Sequence, residues 1–180
     1  MKIIVLSGGC GVGKLSTASF IAEKLKLRLI HNHLTTNLVR EMYGEYSESN
    51  SSDFDAMLYG FREVIIRTFA KSGLEDLIMT HANHSAVGAR YLIWLKALCD
   101  ELAIELRFVN LVCSEDVRQQ RFLSKNRRVA GKSHDLGAFQ GIVAEWGAPA
   151  LVSEDLVVLA TIDTTMMQPN EVAEMIAELL

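Results

Sequence analysis

The heptapeptide Gly8-Gly9-Cys10-Gly11-Val12-Gly13-Lys14 is the most informative stretch of this 180-residue chain. It follows the apolar run 3–6 directly and precedes residues 15–27, whose apolar side chains recur at helical spacing. Glycines between a strand and a helix let successive backbone N–H groups curl around phosphate oxygens. The Lys14 ammonium adds a positive charge for the outer phosphates, and the helix start adds the positive end of its dipole. The stretch therefore predicts a phosphate-binding loop, the alternative being a plain glycine turn.

Composition narrows the class of protein. A length of 180 residues fits one domain, and 49% hydrophobic with 22% charged residues is typical of a globular chain. The net charge of −4 argues against extensive nucleic-acid binding. Three cysteines without a Cys-x-x-Cys pair indicate a reducing compartment, and no apolar run is long enough for a membrane span. We therefore expect a cytoplasmic protein with no membrane partner.

Short apolar runs alternate with longer segments of helical periodicity. Such alternation predicts a parallel sheet that helices cover on both faces. The near-continuous apolar character of the strands agrees, because strands of this kind are buried on both sides. The predicted strands are 3–6, 29–30, 77–80, 106–113 and 156–162, and the predicted helices are 15–27, 34–43, 54–71, 86–102, 114–123 and 169–180.

Residues 3–16 resemble the Walker A P-loop of small-molecule kinases such as adenylate, cytidylate, shikimate and gluconate kinases. The resemblance implies the three-layer α/β fold of P-loop nucleoside triphosphate hydrolases, with a five-stranded parallel sheet, helices on both faces and a small lid. It also implies that residues 1–180 form a single domain that binds ATP with Mg²⁺. The residues that would hold the nucleotide are Gly9, Gly11, Val12, Gly13, Lys14, Leu15 and Ser16.

Two positions depart from the usual motif. Leu15 stands where Ser or Thr normally follows the lysine, so the usual Mg²⁺-binding hydroxyl is missing. Adenylate and cytidylate kinases carry Gly-Lys-Gly-Thr, with the hydroxyl displaced by one residue, and Lys14-Leu15-Ser16 is similar. Ser16 is therefore the predicted Mg²⁺ contact. The third strand also ends without an acidic residue, which argues against a mechanical ATPase or a GTPase.

Four of the five histidines follow two predicted strands. His31 and His33 flank Asn32 after the second strand, and His81 and His84 follow the third. Ligands of open parallel sheets bind at the carboxyl ends of the strands, so both pairs should face the phosphate loop. The first pair stands where shikimate kinases have Asp-x-Asp, with one Asp next to the attacking hydroxyl; the change to histidine argues against shikimate itself as acceptor.

A neutral imidazole accepts a proton near pH 7, so we predict that His31 or His33 orients or deprotonates the acceptor. Asn32, His81 and His84 are the predicted substrate-binding residues. Histidines that cap strand ends, or a four-histidine metal site, are the alternatives.

A basic cluster without any acidic residue occupies residues 118–132 and carries 6 of the chain's 18 basic side chains. Adenylate-type kinases place a lid here, which implies a lid at about 118–136. Lid arginines neutralise the charge that spreads over phosphoryl oxygens during transfer. Arg118 and Arg127 are therefore predicted nucleotide contacts, and Arg121 a catalytic residue together with Lys14. A solvated helix end or a small RNA-binding patch would also explain the cluster.

These observations predict an ATP-dependent phosphotransferase that moves the γ-phosphoryl group to the hydroxyl or phosphate of a small-molecule acceptor, as a monomer or a homodimer. A second interpretation is an ATP-binding P-loop protein with little or no transferase activity, because of Leu15 and the missing strand-end acid. A third is an RNA-modifying kinase, whose binding would fall steeply with salt.

Overall fold

Strands and helices alternate along the chain in a computed structural model that describes residues 1–44, 51–73, 76–82, 85–124, 135–146 and 157–180. The strands are β1 (Lys2–Gly8), β2 (Arg28–Ile30), β3 (Leu77–Ala82), β4 (Glu105–Val112) and β5 (Val158–Asp163). The helices are α1 (Lys14–Leu25), α2 (Asn32–Tyr43), α3 (Ser51–Ser72), α4 (Ser85–Glu101), α5 (Glu115–Phe122), α6 (Leu136–Trp146) and α7 (Pro169–Leu179).

The five strands form one sheet in the order β2-β3-β1-β4-β5, and every neighbouring pair is parallel. This confirms the predicted five-stranded parallel sheet. The chain moves from β1 towards one edge and then crosses over to β4 on the other side. The phosphate loop therefore leaves the central strand at the point where the direction of winding changes, which is where ligands of such sheets bind.

Alternate side chains of β1 enter two different cores. Ile3 and Val5 join a cluster with residues of α3 and α4, whereas Ile4 and Leu6 join a cluster with residues of α1 and α7. All four are at most 2% exposed. The predicted cover of helices on both faces is thus confirmed, and the buried strand β1 leads directly into the phosphate loop.

Helix α6 is the element that the sequence did not predict. Gly137 and Gly141 lie inside it, and each lowers helix propensity by about 1 kcal/mol relative to alanine. Packing compensates, because Phe139 contacts Phe122 of α5 with ring centroids 5.2 Å apart, and both cluster with Cys10 of the phosphate loop.

The predicted lid lies partly outside the described residues, which include its first part (118–124, with most of α5) and its last two residues (135–136) but not residues 125–134. In the described part of the chain no helix is both long and apolar enough to span a membrane.

Candidate functional site

The phosphate loop, defined here as residues 8–13, connects β1 to α1. Its backbone φ is +142° at Gly8, +81° at Gly11 and +96° at Gly13, a region that side chains disfavour. At Gly11 there is also no space, since a Cβ would lie 2.5 Å from the carbonyl oxygen of Arg118. Glycine is therefore required there both for the backbone conformation and for the close approach of α5.

The Lys14 side chain folds back over the loop. Its Nζ donates to the carbonyl oxygens of Gly8 at 2.7 Å and Gly9 at 2.6 Å. Helix α1 begins at the same residue and has no side-chain cap. The ammonium and the N-terminus of α1 thus bring two sources of positive potential to one loop, an arrangement that favours a phosphate group.

The predicted Mg²⁺ contact of Ser16 stays a prediction, and its hydroxyl is a suitable oxygen ligand for that ion. Ser16 is exposed in the first turn of α1, whereas Leu15 offers no ligand atom. No group of three His, Cys, Asp or Glu that could hold a metal exists among the described residues. Mg²⁺ commonly keeps several waters and binds substrate phosphates with one or two protein ligands.

His31 and His33 lie at the start of α2, where β2 ends. His31 occupies the N-cap position of α2, and the two ring centroids are 6.5 Å apart. Strand β3 separates β2 from β1, so this turn lies about two strand spacings, or about 10 Å, from the end of β1 along the same sheet edge. The structure therefore brings both predicted histidines to the edge that carries the phosphate loop.

Arg62 of α3 is a site residue that the sequence analysis missed. It is 3% exposed, donates through Nε to the Thr35 hydroxyl at 2.9 Å and through Nη2 to the Asn32 side-chain oxygen, and lies 4.5 Å from the centre of the Tyr91 ring. The Asn32 backbone N–H donates to the Thr80 hydroxyl of β3 at 3.0 Å. Asn32, predicted to bind substrate, is thus tied to both α3 and β3.

A sequence signal for Arg62 exists. The buried residues of α3 are Phe54, Leu58, Arg62 and Ile66, which are spaced four residues apart. A charged residue on an otherwise apolar stripe must find polar partners in the interior, because burying a charge without them is costly. Arg62 finds them in the turn that carries the histidines.

His81 lies inside the protein. It is 6% exposed, its Nε2 is 3.2 Å from the Gly88 carbonyl oxygen of α4, and its ring stacks on Tyr91 with centroids 4.6 Å apart. Because only a protonated Nε2 can donate to that carbonyl, the contact selects the Nε2–H tautomer. These contacts are to protein groups, and the predicted role of His81 in substrate binding stays a prediction. His84 lies outside the described residues, so the four-histidine metal site is not described either.

Three side chains near Arg62 have pKa values above their ordinary ones. Burial raises the pKa of Asp55 above its ordinary value, although Arg90 and Arg62 lower it in part. The Arg90 guanidinium lies 3.7 Å from the Asp55 carboxylate. Burial also raises the pKa of Tyr59 to about 12 and raises the pKa of Tyr91. Both phenols therefore stay protonated at neutral pH.

Arg118 of α5 contacts the phosphate loop through the Cys10 carbonyl. Its buried guanidinium donates from Nε to the Cys10 carbonyl oxygen at 3.1 Å, its Nη2 is 3.6 Å from the Cys10 sulfur, and its charge lies 5.9 Å from the centre of the Phe139 ring. The guanidinium thus binds protein groups rather than facing open solvent. The predicted contact with nucleotide stays a prediction, as does that of Arg127, which lies outside the described residues.

Arg121 lies one turn further along α5 and contacts the segment after β5. It donates to the Thr164 hydroxyl at 3.0 Å, the Thr164 carbonyl at 2.8 Å and the Met167 carbonyl at 3.3 Å. The Thr164 hydroxyl in turn lies 3.0 Å from the Val12 carbonyl oxygen of the phosphate loop. The catalytic role of Arg121 stays a prediction, and Thr164 is a second site residue that the sequence analysis did not select.

Sequence comparison finds no relative, because no protein-family model matches the chain and no curated protein is significantly similar to it. Solved structures do match over 99% of the chain. A protein assigned as a kinase from Chloroflexus aurantiacus matches over 98% of its own length with a TM-score of 0.69 and 18% identity. A gluconokinase from Sinorhizobium meliloti matches over 90% of its length with a TM-score of 0.62 and 19% identity.

The APS kinase of Mycobacterium tuberculosis, solved in complex with AMPPNP and APS, matches over 96% of its length with a TM-score of 0.63 and 15% identity. At sequence identities this low, the structural matches establish only the fold. Together with the parallel sheet and the phosphate loop, these matches identify this chain as a protein with the fold of the P-loop small-molecule kinases.

Proposed function

We propose that this chain is an ATP-dependent kinase that transfers the γ-phosphoryl group to a small-molecule acceptor carrying a hydroxyl or phosphate group. The observation that carries the proposal is the phosphate loop. A buried central strand ends in glycines with positive φ, the Lys14 ammonium folds over them, and a helix begins at once. Solved kinases of the same fold support the assignment.

ATP would bind with its phosphates in the loop. The backbone N–H groups of Gly11, Val12 and Gly13 would donate to phosphate oxygens. The Lys14 ammonium would exchange the Gly8 and Gly9 carbonyls for oxygens of the outer phosphates. Ser16 would contact Mg²⁺, which neutralises phosphate charge when bound. Loop and ammonium together stabilise the charge that develops on the transferred group.

The acceptor would bind at the edge where β2 and β3 end. Its oxygen attacks the γ-phosphorus and forms a new P–O bond, while the bond from that phosphorus to the bridging oxygen breaks and ADP leaves. For a hydroxyl acceptor, His31 or His33 takes the proton. The contacts of Asn32 with Arg62 and Thr80 support this assignment, because they hold the turn between the two histidines in one conformation.

Calorimetric titration with ATP and Mg²⁺, followed by transfer assays on small alcohols, sugars, antibiotics and nucleoside monophosphates, tests the proposal. We expect nucleotide binding and phosphorylation of at least one acceptor class. Binding without any transfer would favour a nucleotide-binding protein that lacks transferase activity, to which Leu15 points. Absence of nucleotide binding would overturn the proposal. Steeply salt-dependent RNA binding would instead favour the RNA-modifying kinase.

A further inference from the structure

Two carbonyl groups of the phosphate loop are held from outside the loop. The Cys10 carbonyl accepts from the buried Arg118 guanidinium at 3.1 Å. The Val12 carbonyl lies 3.0 Å from the hydroxyl of Thr164, a residue that is 2% exposed. The hydroxyl is also 3.1 Å from the Val112 carbonyl, which already accepts the Thr164 backbone N–H at 2.9 Å. The hydroxyl thus has two carbonyl acceptors within hydrogen-bond distance, of which Val12 is the nearer.

The direction of a peptide carbonyl fixes the direction of the following N–H, so these two contacts also set where the loop amides point. The described residues contain no cis peptide bond, and in a planar trans peptide the C=O and the following N–H point in opposite directions. Holding the Cys10 carbonyl towards α5 therefore turns the Gly11 N–H away from α5. In the same way, holding the Val12 carbonyl towards Thr164 turns the Gly13 N–H away from it. Both amides belong to the group predicted to receive phosphate.

We propose that Arg118 and Thr164 are positioning residues, which hold the Cys10 and Val12 carbonyls so that the Gly11 and Gly13 amides stay directed at a bound phosphate. The inference rests on the proposed nucleotide binding. It gives Arg118 a role through the loop, in place of the direct nucleotide contact that the sequence predicted.

Packing supports this role independently of the hydrogen bonds. Cys10 is buried in one cluster with Phe122 of α5 and Phe139 of α6. Gly11 approaches the Arg118 backbone so closely that a Cβ would lie 2.5 Å from its carbonyl oxygen. Arg121 donates to the Thr164 hydroxyl at 3.0 Å and so fixes its orientation. Helices α5 and α6 thus both pack against the phosphate loop from outside.

The experiment compares the affinities for ADP and AMP, because AMP lacks the outer phosphate. For Arg118→Met we expect ADP affinity to fall about tenfold, which corresponds to about 1.4 kcal/mol. AMP affinity should change less than about twofold. Arg118→Lys keeps a donor for the Cys10 carbonyl and should recover part of the loss. Thr164→Val should act like Arg118→Met, whereas Thr164→Ser keeps the hydroxyl and should behave like the wild type.

Amide NMR supplies a second readout. Addition of ADP should shift the Gly11 and Gly13 resonances in the wild type, and Arg118→Met should weaken the Gly11 shift selectively. Ile66→Val, in the opposite core, is the control for lost stability and should leave the ADP to AMP ratio unchanged.

An unchanged ratio in both Arg118→Met and Thr164→Val would overturn the positioning role while the wild type still bound ADP. If Arg118→Met does not fold, the shape-conserving Thr164→Val decides. A wild type that bound neither nucleotide would overturn the proposed function, and the positioning role with it.

Discussion

The proposed phosphate side and the proposed acceptor side of the site are built in different ways. On the phosphate side the groups proposed to bind phosphate belong to seven consecutive residues, 8–14, and Lys14 donates to carbonyl oxygens of the same stretch. On the acceptor side, His31, Arg62 and His81 come from three separate elements. Asn32 is held by a guanidinium from 30 residues away and a hydroxyl from 48 residues away.

The difference separates two kinds of interaction. A loop rich in glycine depends on backbone conformation, so its variants should act on nucleotide affinity. A site assembled from distant side chains depends on packing, so its variants should act on transfer or on stability. Measuring nucleotide affinity, transfer and stability in the same variants therefore tests whether the two sides are independent.

Lys14→Met should have the largest effect. Loss of a charged donor to the phosphates should reduce transfer about 10²- to 10³-fold, the usual loss for one such group, and weaken ADP binding as well. Transfer assays and calorimetry measure the two effects. Lys96→Met, at an exposed lysine paired with Asp100 on α4, is the control and should match the wild type. Normal transfer in Lys14→Met would mean that the phosphate loop takes no part in the reaction.

His31→Ala and His33→Ala should separate the two sides. Whichever histidine acts as the base should lose at least about 10²-fold in transfer, since general-base catalysis contributes about that much. ADP affinity should stay within about twofold, because neither residue belongs to the phosphate loop. Asn37→Ala, on the exposed surface of α2, is the control. Near-normal transfer in both histidine variants would eliminate the assigned base.

Gly11→Ala and Gly60→Ala form a matched pair with opposite expectations. At Gly11 an added Cβ meets the Arg118 carbonyl at 2.5 Å and φ is +81°, so the free energy of unfolding should fall by about 1–3 kcal/mol. ADP binding should weaken with it. At Gly60, inside α3, nothing lies within 4 Å, and alanine should stabilise the helix by about 0.5–1 kcal/mol. Urea denaturation compares them, and equal effects would contradict the close packing of α5 on the loop.

Asp55→Asn should have the smallest effect. Burial raises the pKa of Asp55, so the folded protein binds this proton more tightly than the unfolded chain does. The ionised carboxylate therefore lowers stability at neutral pH, and this cost disappears as the pH falls towards the ordinary value of 3.8. Asn should raise the free energy of unfolding at pH 7 by less than about 1 kcal/mol.

Urea denaturation of Asp55→Asn at pH 7 and pH 4 measures the difference, which should be smaller at pH 4. Destabilisation at pH 7 would mean that the attraction of Arg90 and Arg62 for the carboxylate exceeds its cost of burial.

Much of the framework was predictable because it depends on neighbouring residues. Apolar runs of strand length alternate with helical periodicity, and this pattern led to the five parallel strands and the helices on both faces. Helix α6 escaped prediction, since its two glycines weaken the local helical signal and its stability comes from Phe139 packing on Phe122. Arg62 was missed for a related reason, as its partners belong to other elements.

By itself, the sequence determined the parallel α/β framework and the position of the phosphate loop, because strand alternation, helical period and the need for glycine at positive φ act between residues close along the chain. Tertiary structure alone decided that Arg118 bonds to the Cys10 carbonyl, that Thr164 bonds to the Val12 carbonyl, and that Arg62 bonds to Asn32. A long polar side chain bonds to whichever partners the folded chain brings within about 3 Å, and those partners are distant in sequence.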